Sequence, residues 1–347
     1  MPDYKVLVIG PTEKGGMSSV IKLHLQSNLG SKMLFLSSYD SGSPFKIIFY
    51  FFIFLIKYIF TLLTVQNIKI VHIHSASRGS FFRKAIVLNL ARFFNKKTIF
   101  HNHGAEFKNF YNNSPEFIQK FISNSLNKAD TIIVLSSQWQ DYISSICSNS
   151  NIEVLYNPTT IKQLNRKKTN DKFNVLFLGR IGQRKGAYDI VEAAKILKNQ
   201  NIIINMYGDG EVEILKTLVK QEKLDSTIHV SNWITGNELQ EAFVNTDLFI
   251  LPSYNEGLPM AIIEAVSYGL PVISTNVGGI ADVVINGVNG FVISHGMPSD
   301  LAQKIEILAK DVELRSNMAQ ESLKIARERF NLSTVMEKLE DIYDGLI

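Results

Sequence analysis

Uninterrupted apolar runs recur along the chain: YKVLVIG, KMLFLS, IKIVHIH, KTIFHNH and TIIVLS in the first half, then NVLFLG, IIINMYG, TIHVSN, DLFILPS and PVIST. Runs such as VLVI and IIVL do not alternate with polar residues, the pattern of strands covered on both faces of a parallel sheet. Stretches of helical length lie between them, among them MSSVIKLHLQSN, the segment from Arg83 to Phe94, and DIVEAAKILKNQ. This strand–helix rhythm predicts an α/β protein with two doubly wound, Rossmann-like domains. The polar run NRKKTNDK at 165–172 separates the two series and places a hinge near 157–172, so domains are expected at 1–164 and 165–328. A length of 347 residues agrees with two cores.

One apolar segment breaks the rhythm. Residues 47–65, IIFYFFIFLIKYIFTLLTV, are interrupted only by Lys57 and are long enough to cross a bilayer. Crossing would put the halves of one sheet on opposite sides of the membrane, because strand-like runs flank the segment. The other readings are a helix packed wholly on its own sheet and a helix lying partly in the membrane interface, which the dense aromatics favour.

Charge sharpens this picture. Residues 1–170 carry 20 Lys and Arg against 8 Asp and Glu, whereas residues 171–347 carry 16 against 24. Arg78, Arg83, Lys84, Arg92, Lys96, Lys97 and Lys108 concentrate the positive charge, so an anionic partner is expected for the first half. No zinc-finger spacing or RNA-recognition signature accompanies them; the expected partner is an anionic membrane surface and not nucleic acid. Cys147 is the sole cysteine, which rules out an intrachain disulfide and suits a reducing compartment. The first strand-like run starts too near residue 1 to leave room for a cleavable signal peptide. A cytoplasmic protein, peripheral at the inner membrane face, is expected.

Ligands of doubly wound sheets bind beyond the carboxyl ends of the strands, so the loops there carry the candidate chemistry. In NEGLPMAIIEAVSYGLP, Pro259 suits a first helical turn, Gly269 suits the position after its end, and Pro271 restarts an extended run. Glu264 then sits inside a short apolar helix, where an ionised carboxylate needs partners or a shifted pKa. Glu256 lies in the preceding loop, and Ser253-x-x-Glu256 fits a capping box. Free N–H groups at this helix start would draw a phosphate or hydroxyl-bearing ligand, with Glu264 accepting from neighbouring hydroxyls.

The loop PTEKGGMSSV is not a Walker motif, since Gly16 stands where the lysine would be, and it lacks the dinucleotide spacing. Gly15 and Gly16 fit either close ligand approach or a plain tight turn. In GRIGQRKG, Arg180 and Lys185 could clamp a diphosphate or belong to a solvated charged loop. Gly208 and Gly210 in YGDG lack a third glycine, which argues against a nicotinamide site, and Trp233 is read as packing and not as a base platform. Two H-x-H pairs, His72/His74 and His101/His103, end strands, with both members of each pair on one face. Metal sites use such spacing, but no carboxylate-rich motif accompanies it, and no metal is assigned. His103, followed by Gly104, is read as a polar group that bonds a substrate hydroxyl or moves a proton near neutral pH.

Taken together, GGMSS, HNHG, GRIGQRKG, YGDG and above all EGLPMAIIE resemble the GT-B glycosyltransferases of family 4, in order and over nearly the whole chain. The most specific element is the E-x7-E pattern, filled by Glu256 and Glu264. The resemblance implies two Rossmann-like domains facing a cleft, with 329–347 as a last helix crossing back to the first domain. It implies that Arg180 and Lys185 hold the donor diphosphate and that Glu264 binds the ribose hydroxyls. Glu256 and the backbone at Gly257 and Leu258 would meet the donor sugar and phosphates; Gly15, Gly16 and Gly208 would complete the donor site. His103 and Glu256 would stand at the reacting centre. Two departures are visible: Asn232 replaces a glycine common before the base-contacting segment around Trp233 and Ile234, and residues 47–65 are unusually apolar. The expected activity is retaining transfer of a hexosyl group, without cofactor or metal, from a nucleotide diphosphate sugar of the UDP type. The expected acceptor is a hydroxyl of a lipid-linked glycan in surface polysaccharide synthesis (O-antigen, capsule or exopolysaccharide). A nucleotide-sugar epimerase of the same architecture, a non-catalytic sugar-nucleotide binder and a metal-dependent hydrolase using the His pairs are the alternatives.

Overall fold

A computed structural model describes residues 5–13, 15–39, 42–162, 172–197 and 200–347. The chain divides into two compact units, Met1–Pro158 with Leu332–Ile347, and Thr159–Asn331. The domain boundary expected at 164/165 and most of the expected hinge fall on 163–171, outside the described residues.

Unit 1 contains strands β1 (Lys5–Gly10), β2 (Met33–Ser37), β3 (Ile68–Ser75), β4 (Lys97–Asn102), β5 (Thr131–Val134) and β6 (Ile152–Val154). They form one parallel sheet in the order β2-β1-β3-β4-β5-β6. Period-two geometry explains the continuous apolar runs: Leu7 and Ile9 enter one core while Val6 and Val8 enter the core on the opposite face. The helix Leu332–Asp344 covers the second face, burying Val335, Met336, Leu339 and Tyr343 beside Ile70, Ile99 and Ile133. The last helix thus returns to the first domain, as the resemblance implied.

Unit 2 contains β7 (Phe173–Leu178), β8 (Ile202–Gly208), β9 (Ile228–Asn232), β10 (Leu248–Leu251), β11 (Val272–Thr275) and β12 (Gly290–Ile293). Its parallel order is β12-β11-β10-β7-β8-β9. Strand addition proceeds from β7 to β9 and then restarts on the other side of β7. The sheet therefore has its switch point between β7 and β10, where the loops leaving the two strands diverge and open a crevice.

The apolar segment forms the helix Pro44–Thr64, capped by the Ser43 side chain, which accepts from the Lys46 N–H. Phe54, Tyr58 and Leu62, spaced by one turn, enter the core, and the Tyr58 hydroxyl donates to the Val87 carbonyl at 3.2 Å. The opposite stripe of Phe45, Ile48, Phe49, Phe52, Ile56, Phe60 and Leu63 is exposed. By length and composition Phe45–Thr64 could cross a membrane, yet its inner stripe is committed to the sheet that it connects. It is not packed wholly on that sheet either, because the apolar residues run around the whole helix and the sheet covers one side only.

Lys84 also departs from the sequence reading, which grouped it with the outward basic residues. It lies on the inner stripe of the helix Gly79–Phe93 with Phe81, Ala85 and Leu88, is buried, and donates to the Ser38 hydroxyl. Burial, then the nearby Arg83 charge, pushes its ammonium down to about 7. The spacing 81, 84, 85, 88 was the available signal.

The orientation of the apolar helix is testable by paired truncation. Phe54→Ala should destabilise unit 1 by about 3–5 kcal/mol, and Phe52→Ala should stay within about 0.5 kcal/mol, in urea unfolding followed by circular dichroism. Equal costs would contradict the orientation.

Candidate active site

The switch point of unit 2 gathers several of the expected residues. The loop after β7 carries Arg180 and Lys185; the loop after β10 carries Ser253, Glu256, Gly257 and Leu258. Main-chain and side-chain bonds stitch the two loops together: the Tyr254 N–H donates to the Arg184 carbonyl at 2.9 Å, and Arg184 Nη1 donates to the Asn255 carbonyl at 3.2 Å. Gly186 has φ +72°, and a Cβ there would lie 2.2 Å from the Pro252 carbonyl oxygen, so only glycine permits this approach. Lys185 then ion-pairs with Glu256, their side chains 15% and 5% exposed. Ser253 Oγ donates to the same carboxylate oxygen at 2.7 Å. The Gly279 N–H, from the loop after β11, donates to the Gly257 carbonyl at 2.6 Å and steadies the segment from the other side.

One expectation changes here. Glu256, a loop carboxylate in sequence, is buried, and its bond with Ser253 is not a capping box, because both precede the helix Met260–Ser267, whose cap is Pro259. That helix ends as expected: Gly269 has φ +62°, its N–H donates to the Val266 carbonyl and the Leu270 N–H to the Ala265 carbonyl. No side chain caps its start; the Ile262 N–H donates to the Pro259 carbonyl at 3.1 Å, and among the described residues the Met260 and Ala261 N–H groups are left to a ligand or water. Glu264, half-buried on this helix, has no hydrogen bond or ion pair to its carboxylate among the described residues. Burial pushes its carboxyl up to about 7, with the Lys162 ammonium pulling the other way.

Arg180 is largely exposed and only 3.9 Å from the Asp209 carboxylate, a contact of little strength that leaves the guanidinium available. Gly208 has a structural reason to be glycine, since a Cβ would lie 1.9 Å from the Gly179 carbonyl oxygen. Trp233 is 51% exposed, against the packing expected for it: it lies just beyond the edge strand β9, where no further strand covers it among the described residues. A concavity lined by Lys172, Gln200, Asp247 and Arg315 lies at the amino ends of the unit 2 strands, the face opposite this chemistry.

In unit 1, Gly15 is extended at φ 165°, which any residue adopts, and a Cβ there would meet nothing within 4 Å. Backbone strain therefore does not require glycine at this position, whereas close approach by another molecule would. Its carbonyl accepts from the Ser18 and Ser19 hydroxyls as Gly16 opens the helix Gly16–Gln26. His103 follows β4, is half-buried, and its Nε2 lies 2.8 Å from His74 Nδ1. Burial, reinforced by His24, pushes its imidazole down to about 3. His103 is thus held neutral at pH 7 and available as a hydrogen-bonding group. Strand register sets His74 beside His101, joining the two H-x-H pairs into one cluster. His24, for which the sequence suggested no role, lies near them, its ring 5.9 Å from that of His74 and tilted by 51°; its place on the Val20–Ile21–His24 buried stripe was the signal.

Comparison with known proteins places this geometry. The family described as Glycosyltransferase Family 4 matches residues 35–163, and Glycosyl transferases group 1 matches residues 159–324. The capsular polysaccharide biosynthesis glycosyltransferase CapM of Staphylococcus aureus is 28% identical over 239 residues, 66% of this chain and 59% of CapM. A 41.2 kDa protein of the cps region of Klebsiella pneumoniae is 23% identical over 368 residues, covering 97% of this chain and 99% of that protein. Among solved structures, Alr3699/HepE of Anabaena in complex with UDP superimposes with a TM-score of 0.81 at 17% identity, over 98% of this chain and all of that one. Two parallel six-stranded sheets, the returning last helix and the two family matches in series show that this chain belongs to the GT-B glycosyltransferases.

Proposed function

We propose that the protein transfers a hexosyl group, with retention, from a UDP-type nucleotide sugar to a hydroxyl of a lipid-linked glycan during surface polysaccharide synthesis at the cytoplasmic membrane face. The observation that carries this reading is the buried Lys185–Glu256 pair at the β7/β10 switch point, in a chain of this family. Lys185 supplies a fixed cation for the departing diphosphate, and Arg180 a second, mobile one; charge developing on the leaving oxygen is met by donors already in place. These protein cations, and no metal, carry the diphosphate in this reading. Glu256 orients Lys185 and faces the sugar, with the Gly257 and Leu258 backbone beside the phosphates. Glu264, without a protein partner among the described residues, accepts from the two ribose hydroxyls. Gly15 and Gly16 leave backbone open to close approach by the donor, and His103 bonds a sugar hydroxyl as a neutral imidazole. UDP bound to the structurally similar HepE, and polysaccharide synthesis named for CapM, support the donor class and the process.

The acceptor reading rests on the helix Pro44–Thr64. Its exposed stripe of Phe and Ile, on a unit rich in Lys and Arg, suits shallow insertion into an anionic lipid surface where a lipid-linked acceptor would be met.

Three measurements test these assignments. Lys185→Ala should lower kcat by about 10²–10³-fold with lipid extract and UDP-sugars, product being read by mass spectrometry; undiminished turnover refutes the assigned role. If Glu264 binds ribose as the carboxylate, UDP-glucose affinity should weaken as pH falls through about 7. The limit approaches tenfold per pH unit, and Glu264→Gln should flatten the profile in calorimetry; a profile unchanged by that substitution removes the assignment. Sedimentation with vesicles containing anionic lipid should capture the protein at low salt. Phe49→Ser/Phe52→Ser should abolish capture, and capture equal to the parent's would exclude this face.

A further inference from the structure

Five of the seven histidines gather on the face of the unit 1 sheet covered by the last helix. His72 and His74 follow Ile70 at period two on β3, and His101 follows Ile99 on β4. Their ring centroids lie 4.4 Å (His72–His74), 4.8 Å (His74–His101) and 5.2 Å (His72–His101) apart, and all three rings are buried. His72 Nδ1 is 2.7 Å from the Tyr343 hydroxyl, and His74 Nδ1 is 2.8 Å from His103 Nε2. The inner nitrogens are poorly served. His72 Nε2 meets only His101 Nδ1, at 3.0 Å, while the Nε2 atoms of His74 and His101 are buried without a partner among the described residues.

Unserved nitrogens in a dry interior are costly, by about 1–3 kcal/mol each. One nitrogen from each of the three rings falls within 4.8 Å of the others. The 3.0 Å between His72 Nε2 and His101 Nδ1 is close to the ~3.3 Å separating two imidazole nitrogens on a tetrahedral ion with ordinary zinc–nitrogen bonds, which makes these two atoms the ligands and leaves His101 Nε2 outside the ion's shell. Imidazoles that ligate metals have their other nitrogen bonded to a fixed partner, and Tyr343 and His103 stand in those places for His72 and His74. Burial, with the neighbouring imidazoles adding, holds the three rings well below their ordinary pKa, hence neutral and able to coordinate. Three neutral nitrogen ligands suit zinc and its late first-row neighbours and do not suit magnesium or calcium.

We propose that His72, His74 and His101 bind one late first-row transition-metal ion, with Tyr343 and His103 orienting the rings. The ion ties β3 and β4 to the last helix and fixes the ring of His103 through His74. It is a structural ion, independent of the diphosphate chemistry assigned to unit 2. Half-buried His103 is the cluster's most accessible member and gives the ion its way in.

The test uses the full chain without an affinity tag, stripped with chelator and titrated with Zn²⁺ against a chromophoric competitor and with Co²⁺ by absorption. One equivalent of Zn²⁺ should bind saturably, and Co²⁺ should give the intense visible bands of a low-coordinate nitrogen site. Tyr343→Phe should weaken binding about 10–100-fold, His74→Leu and His101→Leu should abolish it, and His229→Asn and His295→Asn should leave it as in the parent. Absence of saturable binding, or Co²⁺ bands no stronger than those of the aqueous ion, overturns the proposal and leaves ordered water as the partner of these nitrogens. Binding that survives both His74→Leu and His101→Leu overturns it equally. Should those two variants fail to fold, the parent's Co²⁺ spectrum and stoichiometry decide alone.

Discussion

Lys185 and Glu256 are charges withdrawn from water, and each is tolerable only because the other is there. Removing one partner from such a pair typically costs about 3–5 kcal/mol, since the survivor is left buried and uncompensated. That mutual dependence fixes the relation between the loop after β7 and the loop after β10. The rest of the unit 2 site follows from it: Ser253 completes the carboxylate, Gly186 lets the backbones close, and the uncapped helix start at Met260 falls directly after Glu256, Gly257 and Leu258. Parallel strands point every such loop to one edge, and the restart of the sheet at β10 makes the gap between two of them.

Glu264 and His103 illustrate how burial sets chemistry. Desolvation disfavours the charged form of both, so the acid's pKa rises and the imidazole's falls. The carboxyl is thereby brought near physiological pH, while the imidazole is taken out of that range. A similar effect acts on Lys84, which charge counting had put on the surface.

The helix Pro44–Thr64 shows two selection pressures on one element. Its inner stripe is an ordinary core, ending in the Tyr58 bond to the Val87 carbonyl. Its outer stripe is equally apolar with no protein over it among the described residues, an arrangement that a soluble surface does not require.

Local pattern alone determined much. Unbroken runs such as VLVI identified parallel strands because both sheet faces are covered, and Pro259 with Gly269 bracketed a real helix because φ preferences act within a few residues. The glycine–basic loop follows β7 and the Glu256 loop follows β10, where the apolar runs before them had put strand ends. Only tertiary structure decided which charges lie inside. Glu256 belongs to a loop and is buried, Lys84 looked like surface charge and is inside, and Trp233 looked like core and is half exposed. Burial is set by what packs from distant parts of the chain: β10 against β7, a helix from the C-terminus over β3, and no strand beyond β9 among the described residues. The joining of His72, His74 and His101 likewise depends on the β3/β4 register, a pairing across 27 or more residues that spacing within either strand does not encode.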